Sequence, residues 1–278
     1  MRFRTAATPA EIALVLDWAR AEGWNPGLED AAAFHAADPG GIFLAEQDGA
    51  PVAAISVINH SDTFAFLGLY LCLPAFRGRG IGHALWTHAL AHAGERTVGL
   101  DGVAAQEANY ARSGFVRQGA TLRMAGPAPI GEAPGLRPAG GTDLAAIAAL
   151  DLAATGVARP RFLAAWLMQA RSRRSIVLDR DGRVAGVATA RLCGEGCKIG
   201  PVIAPDADAA WTLIAGAAAA LSAQRVILDV PEWQDALTGR LAAAGFATTF
   251  ATARMYRGPA PAPAAGGTQH AIATMELG

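Results

Sequence analysis

The sequence is poor in cysteine and has no surplus of charge. Its three cysteines, an odd number, cannot all pair, and Cys193 and Cys197 lack the second pair of cysteine or histidine ligands that a structural zinc site needs. The formal net charge is -1 and there is no run of like charge, whereas nucleic-acid-binding proteins carry a basic patch. We therefore expect no metal site, no nucleic-acid partner and a reducing, cytoplasmic compartment.

Long apolar segments are also missing. Residues 1–5 are not followed by the apolar stretch of a secretory signal peptide. The longest apolar stretch, residues 209–221, is alanine-rich and shorter than the roughly 20 residues that cross a bilayer, so it predicts a buried helix. With 52% hydrophobic residues the chain can bury a substantial core, and we expect no membrane association.

The chain consists of two similar halves. Several landmarks recur in the same order at an offset of roughly 131 to 134 residues. A strand ending in an Asp-Gly turn at residues 42–49 recurs at 176–182, and Gly114-Phe115 recurs as Gly245-Phe246. Because the shared landmarks are Asp-Gly, Pro and Gly-Phe, the similarity is not a coincidence of alanine-rich segments. Each half predicts the order strand, one or two helices, three-strand meander, helix, strand, helix, strand.

This order mixes antiparallel hairpins with crossover helices. It predicts an α/β (α+β) fold in which each half has a mixed, mainly antiparallel sheet flanked by helices. Residues 127–135 are rich in proline and glycine and predict a linker. The predicted organisation is a first domain at 1–126, this linker, and a second domain at 136–278.

A glycine-rich loop follows a predicted buried strand at residues 64–73 and Pro74. Its alternate glycines let the backbone curl so that N–H groups converge on an anion, and a helix beginning at about Gly82 adds the positive end of its dipole. A P-loop NTPase needs Lys where His83 stands, and the dinucleotide fingerprint needs Gly there. We therefore predict a pyrophosphate-binding loop. Its residues are Arg77, Gly78, Arg79, Gly80, Ile81, Gly82 and His83.

The spacing of Arg77, Gly80 and Gly82 after a strand and a proline resembles the coenzyme A pyrophosphate loop of the GNAT N-acetyltransferase superfamily. Tyr110, four residues before Gly114-Phe115, is similar to the family's tyrosine near the thioester sulfur. The resemblance covers essentially the whole chain at fold level, although its specific motifs cover far less. It implies two tandem GNAT folds and acetyl-CoA as the co-substrate.

The resemblance also implies roles for residues of the first half. Tyr110 would protonate the departing thiolate, since a phenol with a reference pKa of about 10 is protonated at neutral pH; the alternative is an aromatic residue that only packs on the cofactor. The family separates the two strands around the loop, so backbone groups of Leu71, Cys72 and Leu73 would line the pantetheine slot, and one N–H there would hold the developing oxyanion. The Cys72 thiol itself is interpreted as buried, not nucleophilic.

No motif identifies the base that takes a proton from the acceptor amine. Trp24 and Asn25 lie where GNAT enzymes place the loop that closes over the acceptor, and we predict that both touch it, although Asn-Pro-Gly is also strong turn chemistry. The acceptor is expected to be a small-molecule or peptide amine. The candidate bases are Glu22, Asp30, His35, His60, Asp62 and Asp101.

The second half lacks both motifs. Asp206 and Asp208 stand where the loop should recur and would repel a pyrophosphate, and Leu241 occupies the position equivalent to Tyr110. This half resembles the degenerate C-terminal domain of tandem GNAT proteins, whose final strand would pair with the first half and whose residues would wall off the acceptor pocket. Asp229, Glu232 and Trp233 are the residues that would face it.

The sequence thus predicts an enzyme that transfers acetyl from acetyl-CoA directly to an amine, with one active site in the first half and no metal. The alternative is a non-catalytic acyl-CoA-binding sensor or scaffold. We expect a monomer, with the two halves forming a pseudo-dimer, or a homodimer.

Overall fold

The two halves of the chain fold into the same series of elements. The computed structural model describes residues 1–131, 134–264 and 268–278, so Glu132 and Ala133 of the predicted linker lie outside the described residues. The first half contains β1 (Arg2–Thr5), α1 (Pro9–Ala21), α2 (Asp30–Ala37), β2 (Ile42–Gln47), β3 (Ala50–Asn59), β4 (Phe64–Cys72), α3 (Ile81–Leu90), β5 (Thr97–Val103), α4 (Glu107–Arg112) and β6 (Val116–Pro127). The second half contains β7 (Leu136–Pro138), α5 (Leu144–Thr155), α6 (Pro160–Trp166), β8 (Arg173–Arg180), β9 (Arg183–Leu192), β10 (Cys197–Ile203), α7 (Ala207–Ala219), β11 (Arg225–Pro231), α8 (Asp235–Ala243), β12 (Ala247–Arg257) and the additional β13 (Gln269–Ala271).

All of the strands in the described part of the chain belong to one sheet. Its order is β1-β2-β3-β4-β5-β12-β6-β11-β10-β9-β8-β7, with β13 paired to β10. Neighbouring strands are antiparallel except for β4 with β5 and β10 with β11, which are parallel. The predicted mixed, mainly antiparallel sheet flanked by helices is confirmed.

The two halves exchange their last strands. Strand β12 of the second half lies between β5 and β6 of the first half and pairs antiparallel with both. Strand β6 in turn pairs with β11 of the second half. The expected pairing of the final strand with the first half is therefore confirmed, and it makes the two sheets continuous.

Helices cover the sheet on both faces because its strands are apolar on both sides. In β2, Ile42 and Leu44 belong to a core shared with α1, α2, α5 and α6, whereas Phe43 and Ala45 belong to the core under α3 and α4. Successive residues of a strand point to opposite faces, so the run Ile-Phe-Leu-Ala serves two cores at once. Helices α7 and α8 pack on a third core in the second half, and the predicted buried helix after Pro205 is α7.

Three buried ion-pair clusters link the first half to the second. Each joins a carboxylate to arginine across the boundary between the halves, in surroundings where an unpaired charge is costly: removing one partner of such a pair costs about 3–5 kcal/mol. They therefore fix how the halves dock. The clusters are Asp30 with Arg173 and Arg191, Asp229 with Arg123, and Asp101 with Arg254.

No single helix in the described ranges is long and apolar enough to cross a membrane. One bent pair, 141–155 with Pro160–Trp166, passes by combined length and composition but turns by 120° between its parts.

Candidate active site

The two parallel strands of the first half separate at the middle of the sheet. Strands β4 and β5 pair from Phe64 with Thr97 to Leu67 with Leu100, and no further. Just beyond this point a bulge shifts the register between β3 and β4, and Leu69 adopts a φ of +46°. The expected V-shaped slot therefore opens between the end of β4 and the end of β5.

A cavity of about 500 Å³ occupies this slot. It is lined from one face of the sheet by the loop before α3 and by Tyr110, and from the other face by Trp24 and the end of the chain. Most of the site residues predicted from the sequence line it. They are Trp24, Leu71, Cys72, Arg77, Gly78, Gly80, Ile81, Gly82, His83 and Tyr110.

The loop before α3 presents backbone N–H groups that have no partner. From Gly78 to His83 none of them donates a hydrogen bond to the rest of the described chain, as is usual for the first turn of a helix. Gly78 and Gly80 have φ of +74° and +77°, and a Cβ on either would meet nothing within 4 Å. The loop is thus an open cradle of N–H groups beside two arginines, which fits a pyrophosphate.

The two arginines of the loop have different surroundings. The Arg77 Nε donates to the Cys72 carbonyl at 2.8 Å, and its Nη2 pairs with Glu22 at 2.5 Å, so Arg77 connects the loop to the region after α1. Arg79 does not line the cavity; its guanidinium lies 5.3 Å from the centre of the Phe76 ring.

Backbone hydrogen bonds decide which groups at the end of β4 face the slot. Leu73 does not line the cavity, and its N–H donates to the Val52 carbonyl at 2.9 Å. Because hydrogen-bonding groups alternate between the two edges of a strand, the N–H of Cys72 points to the edge that borders the slot. The expectation for Leu73 is therefore corrected, and Cys72 is left as the oxyanion donor candidate. Burial raises the pKa of the Cys72 thiol, consistent with an inert thiol.

Tyr110 is held rigidly on the α3–α4 face of the cavity. Its ring stacks on Trp86 with centroids 5.5 Å apart, and Gly102 makes room for it, since a Cβ there would lie 2.5 Å from the Tyr110 ring. Burial, with a contribution from Tyr70, raises the pKa of Tyr110 to about 12. The phenol is therefore protonated at neutral pH and can act as an acid. Tyr70 also lines the cavity.

Four of the six candidate bases lie away from the cavity. Asp30 is engaged by the arginines named above. The His60 Nε2 donates to the Leu277 carbonyl, and burial lowers the pKa of His60 to about 3, so this imidazole stays neutral. Asp62 is exposed beside Arg96, and His35 is not part of the lining.

The two candidate bases that do line the cavity already have arginine partners. Glu22 pairs with Arg77. Asp101 is engaged by both ends of the Arg254 guanidinium at 3.0 and 2.6 Å, and its Oδ1 also accepts from Thr121 at 2.9 Å. Asp101 is thus a structural carboxylate.

The segment at residues 268–278 contributes directly to the cavity, although no sequence motif predicts it. Strand β13 adds to β10 where β10 and β11 separate, and the Ile272 N–H donates to the Asp229 carbonyl at 2.9 Å. The segment therefore fills the second half's counterpart of the slot, then continues to Met275 and Glu276, which line the cavity of the first half. A single carboxylate in the largely apolar run 271–277 is the one sequence signal for it.

Strands β11 and β12 of the second half also shape the cavity. Arg123 lines it and is held by Asp229 at 2.7 and 2.9 Å; although burial opposes it, this carboxylate raises the pKa of Arg123. Phe250 and Thr252 of the exchanged strand β12 complete the wall. The second half thus reaches the cavity through its strands, as expected in outline.

Four residues proposed near the acceptor occupy other places. Asp229 holds Arg123 but is not itself part of the lining. The Asn25 side chain bonds both the carbonyl and the N–H of Glu195, at 2.8 and 3.1 Å, so it anchors the loop to the second half and is not in the lining. Glu232 and Trp233 are also outside it, and Trp233 is exposed beside Gly119.

The second half itself has neither loop nor phenol. Asp206 caps α7 by accepting from the Ala209 N–H at 2.7 Å, and Asp208 pairs with Arg240. Leu241 is fully buried where the first half has Tyr110. Within the described residues no group of three histidine, cysteine or acidic side chains could hold a metal ion, and the three cysteines are unpaired.

Comparisons with known proteins agree with this architecture. Residues 11–119 match the model of the "Acetyltransferase (GNAT) family" and residues 147–270 that of the "Acetyltransferase (GNAT) domain". The chain therefore belongs to the GNAT acetyltransferase family, carries two GNAT domains in tandem and is an acyltransferase.

Individual relatives share the full length of the chain. It is 33% identical over 278 residues to a holothin acyltransferase from Pseudoalteromonas sp. (strain SANK 73390), covering 98% of this chain and 93% of that protein. A candidate acetyltransferase from Pyrococcus horikoshii has the same fold, with a TM-score of 0.81 at 22% identity over 100% of this chain and 95% of the other. A tandem GNAT protein from the clavulanic acid biosynthesis pathway follows, with a TM-score of 0.63 at 18% identity over 93% and 99%.

Proposed function

We propose that the chain is an N-acetyltransferase that moves the acetyl group of acetyl-CoA directly to the amine of a small molecule. The observation that carries this proposal is the single cavity in the slot, with an open anion cradle at one end and a protonated phenol beside it. One such site exists in the described chain, in the first half, because the second half has an acidic helix cap and a leucine in the equivalent places.

The donor would be bound by groups that are already in place. The N–H groups of residues 78–83 would hold the pyrophosphate, with Arg77 lining the cavity beside them, and the diverging end of β4 would hold the pantetheine arm. These groups are pre-organised by the left-handed glycines and by the start of α3, so little ordering would be needed on binding.

Direct transfer needs a donor for the oxyanion and an acid for the thiolate. The Cys72 N–H would hold the carbonyl oxygen as the amine attacks, and a positioned donor of this kind contributes about 3–4 kcal/mol. Tyr110 would protonate the sulfur as the C–S bond breaks. A shuttle through the Cys72 thiol is disfavoured because burial raises its pKa.

The acceptor is proposed to be a small amine. The acceptor end is walled by Trp24 and by Phe250 and Met275 from the far end of the chain, which enclose a volume suited to a small molecule. The relative named above is described as acting on holothin, and holothin is therefore the first acceptor to test. We further propose that the chain works in the cytoplasm as a monomer, with its two halves as a pseudo-dimer.

The proposal is tested by release of CoA thiol from acetyl-CoA in the presence of individual amines. The panel is holothin, 2-phenylethylamine, spermidine, an aminoglycoside and a lysine peptide, with a longer acyl-CoA as a second donor. We expect thiol release that depends on the amine and a product heavier by one acetyl group. Tight acetyl-CoA binding without turnover of any amine would contradict the proposal and favour a non-catalytic acyl-CoA sensor.

A further inference from the structure

The terminal segment places a carboxylate, which no sequence motif identifies, at the proposed acceptor end of the cavity. We propose that Glu276 receives the acceptor amine and accepts its proton as the amine attacks the thioester. This inference rests on the proposed N-acetyltransferase function and identifies both a catalytic residue and the class of acceptor.

Glu276 is fixed beside the opening of the slot by backbone contact with β4. Gly68 directly follows Leu67, the last residue of β4 that pairs with β5. A Cβ at Gly68 would lie 2.4 Å from the Glu276 carbonyl oxygen and 2.9 Å from its Cα. The next residue, Leu277, packs in the core on the α1–α2 face, whereas Tyr110 packs in the core on the α3–α4 face. The carboxylate therefore approaches the slot from the side opposite to the phenol, as a base and an acid for one transfer require.

The carboxylate of Glu276 is buried and is not engaged in an ion pair within the described chain. Glu276 is only 7% exposed, Thr274 Oγ1 donates to its Oε2, and within the described chain it forms no salt bridge and its Oε1 accepts no hydrogen bond. The charged groups that interact with it are Arg123 on β6 and Lys198 on β10. Arg123 is already bound to Asp229, and the Lys198 Nζ donates to the Trp24 carbonyl at 2.9 Å. One oxygen of Glu276 is thus free to meet an ammonium group.

Each proton that moves in the proposed reaction has a donor and an acceptor. Glu276 takes one proton from the bound ammonium, and the freed nitrogen lone pair attacks the thioester carbonyl carbon. As the C–N bond forms and the C–S bond breaks, the electron pair leaves on sulfur, which Tyr110 protonates. The nitrogen's second proton passes to solvent, from which Tyr110 is reprotonated, and Glu276 releases its proton to solvent. The products are the amide and the CoA thiol, with one proton released per turnover.

The charge of the cavity restricts the acceptor. Of the carboxylates that line it, Glu22 and Asp101 are paired with arginines, so Glu276 alone is available to a cation. The remaining acceptor walls include Trp24, Phe250 and Met275. This combination fits a monoamine with an apolar body, whereas a polyamine or an aminoglycoside would bring further positive charges that no lining group receives.

The test compares Glu276→Gln with Glu276→Asp and with Glu232→Gln, a carboxylate outside the cavity. Turnover of holothin and 2-phenylethylamine is measured from pH 6 to about pH 10, with acetyl-CoA affinity by calorimetry and thermal unfolding as controls. For E276Q we expect kcat/KM for the amine to fall about 10²–10³-fold at neutral pH, with unchanged acetyl-CoA affinity. The deficit should shrink toward pH 10, where the amine itself is largely unprotonated, and E276D should recover part of the activity, whereas E232Q should match the parent.

Three outcomes overturn the assignment. If the parent turns over amines and E276Q is equally active, Glu276 is not the base although the proposed function stands. If E276Q loses activity by the same factor at every pH and E276D recovers none, the residue only supports the fold. If the parent turns over no amine, the proposed function is wrong, and the assignment of Glu276, which depends on it, is wrong as well. A preference for spermidine over the monoamines would contradict the acceptor class.

Discussion

Gly80 holds the backbone of the proposed donor loop in a conformation that other residues adopt only with strain. Its φ is +77°, it directly precedes the first residue of α3, and a Cβ on it would meet no atom within 4 Å. We expect Gly80→Glu to abolish acetyl-CoA binding in calorimetry, because it adds strain and a negative charge where N–H groups would meet a pyrophosphate. Gly182 is a matched control: it has a φ of +76° and equally open surroundings in the Asp-Gly turn between β8 and β9. Gly182→Glu should cost similar stability and leave binding intact. Retained binding by G80E would contradict the loop assignment.

Two tyrosines line the cavity, and substitution separates their roles. We expect Tyr110→Phe to lower kcat about 10²-fold or more at unchanged acetyl-CoA affinity, because it removes the acid for the leaving thiolate, whereas Tyr70→Phe should have a much smaller effect. A raised pKa means that the acid form persists at every pH below it; with the pKa of Tyr110 at about 12, the parent should show no loss of activity from tyrosine ionisation up to about pH 10. A larger loss in Y70F than in Y110F would reverse the assignment.

At the scale of elements, the contact between β4 and the terminal segment leaves no room for a residue larger than glycine at position 68. A Cβ at Gly68 would overlap backbone atoms of Glu276, which cannot rotate away as a side chain could. We expect Gly68→Ala to push the segment off β4, to lower the free energy of unfolding by about 1–3 kcal/mol, and to reduce kcat while acetyl-CoA affinity is kept. Gly239→Ala in α8, where a Cβ meets nothing within 4 Å, should be neutral or slightly stabilising. Full activity of G68A would show that the segment does not position the acceptor end.

At the scale of the whole molecule, the exchange of last strands makes the first half incomplete by itself. Without β12, strands β5 and β6 would each expose an unpaired edge in the middle of the sheet, and Arg123 and Asp101 would lose their partners. We expect residues 1–131 alone to form no stable, active monomer, as judged by cooperative unfolding and thiol release. Co-expression with residues 132–278 should restore both properties. A folded and active monomer of 1–131 would refute this role of the second half.

The same exchange lets the second half shape the cavity although it has no glycine-rich loop of its own. The slot of the second half is filled by β13, and the chain then continues into the cavity of the first half. The second half therefore contributes walls through β12, the Asp229 carboxylate that holds Arg123 of the first half, and the terminal segment. Under the proposed function all three contributions would lie at the acceptor end, so divergence of this half would alter acceptor choice without disturbing the proposed donor loop.

The sequence by itself determined the order of elements in both halves, the sheet type and the place of the glycine loop. These features rest on local signals: alternating apolar residues, Asp-Gly turns, and glycines where φ is positive. Only the tertiary structure decided which of the carboxylates that line the cavity have an arginine partner and which does not. Asp30 and Asp101 both look like candidate bases in the sequence. The two arginine partners of Asp30 lie 143 and 161 residues further along the chain, and the arginine partner of Asp101 lies 153 residues further along. Glu276 reaches the cavity only because the strand exchange and β13 lead the chain's end back to β4. Pairings of this kind depend on chain topology, which local patterns do not encode.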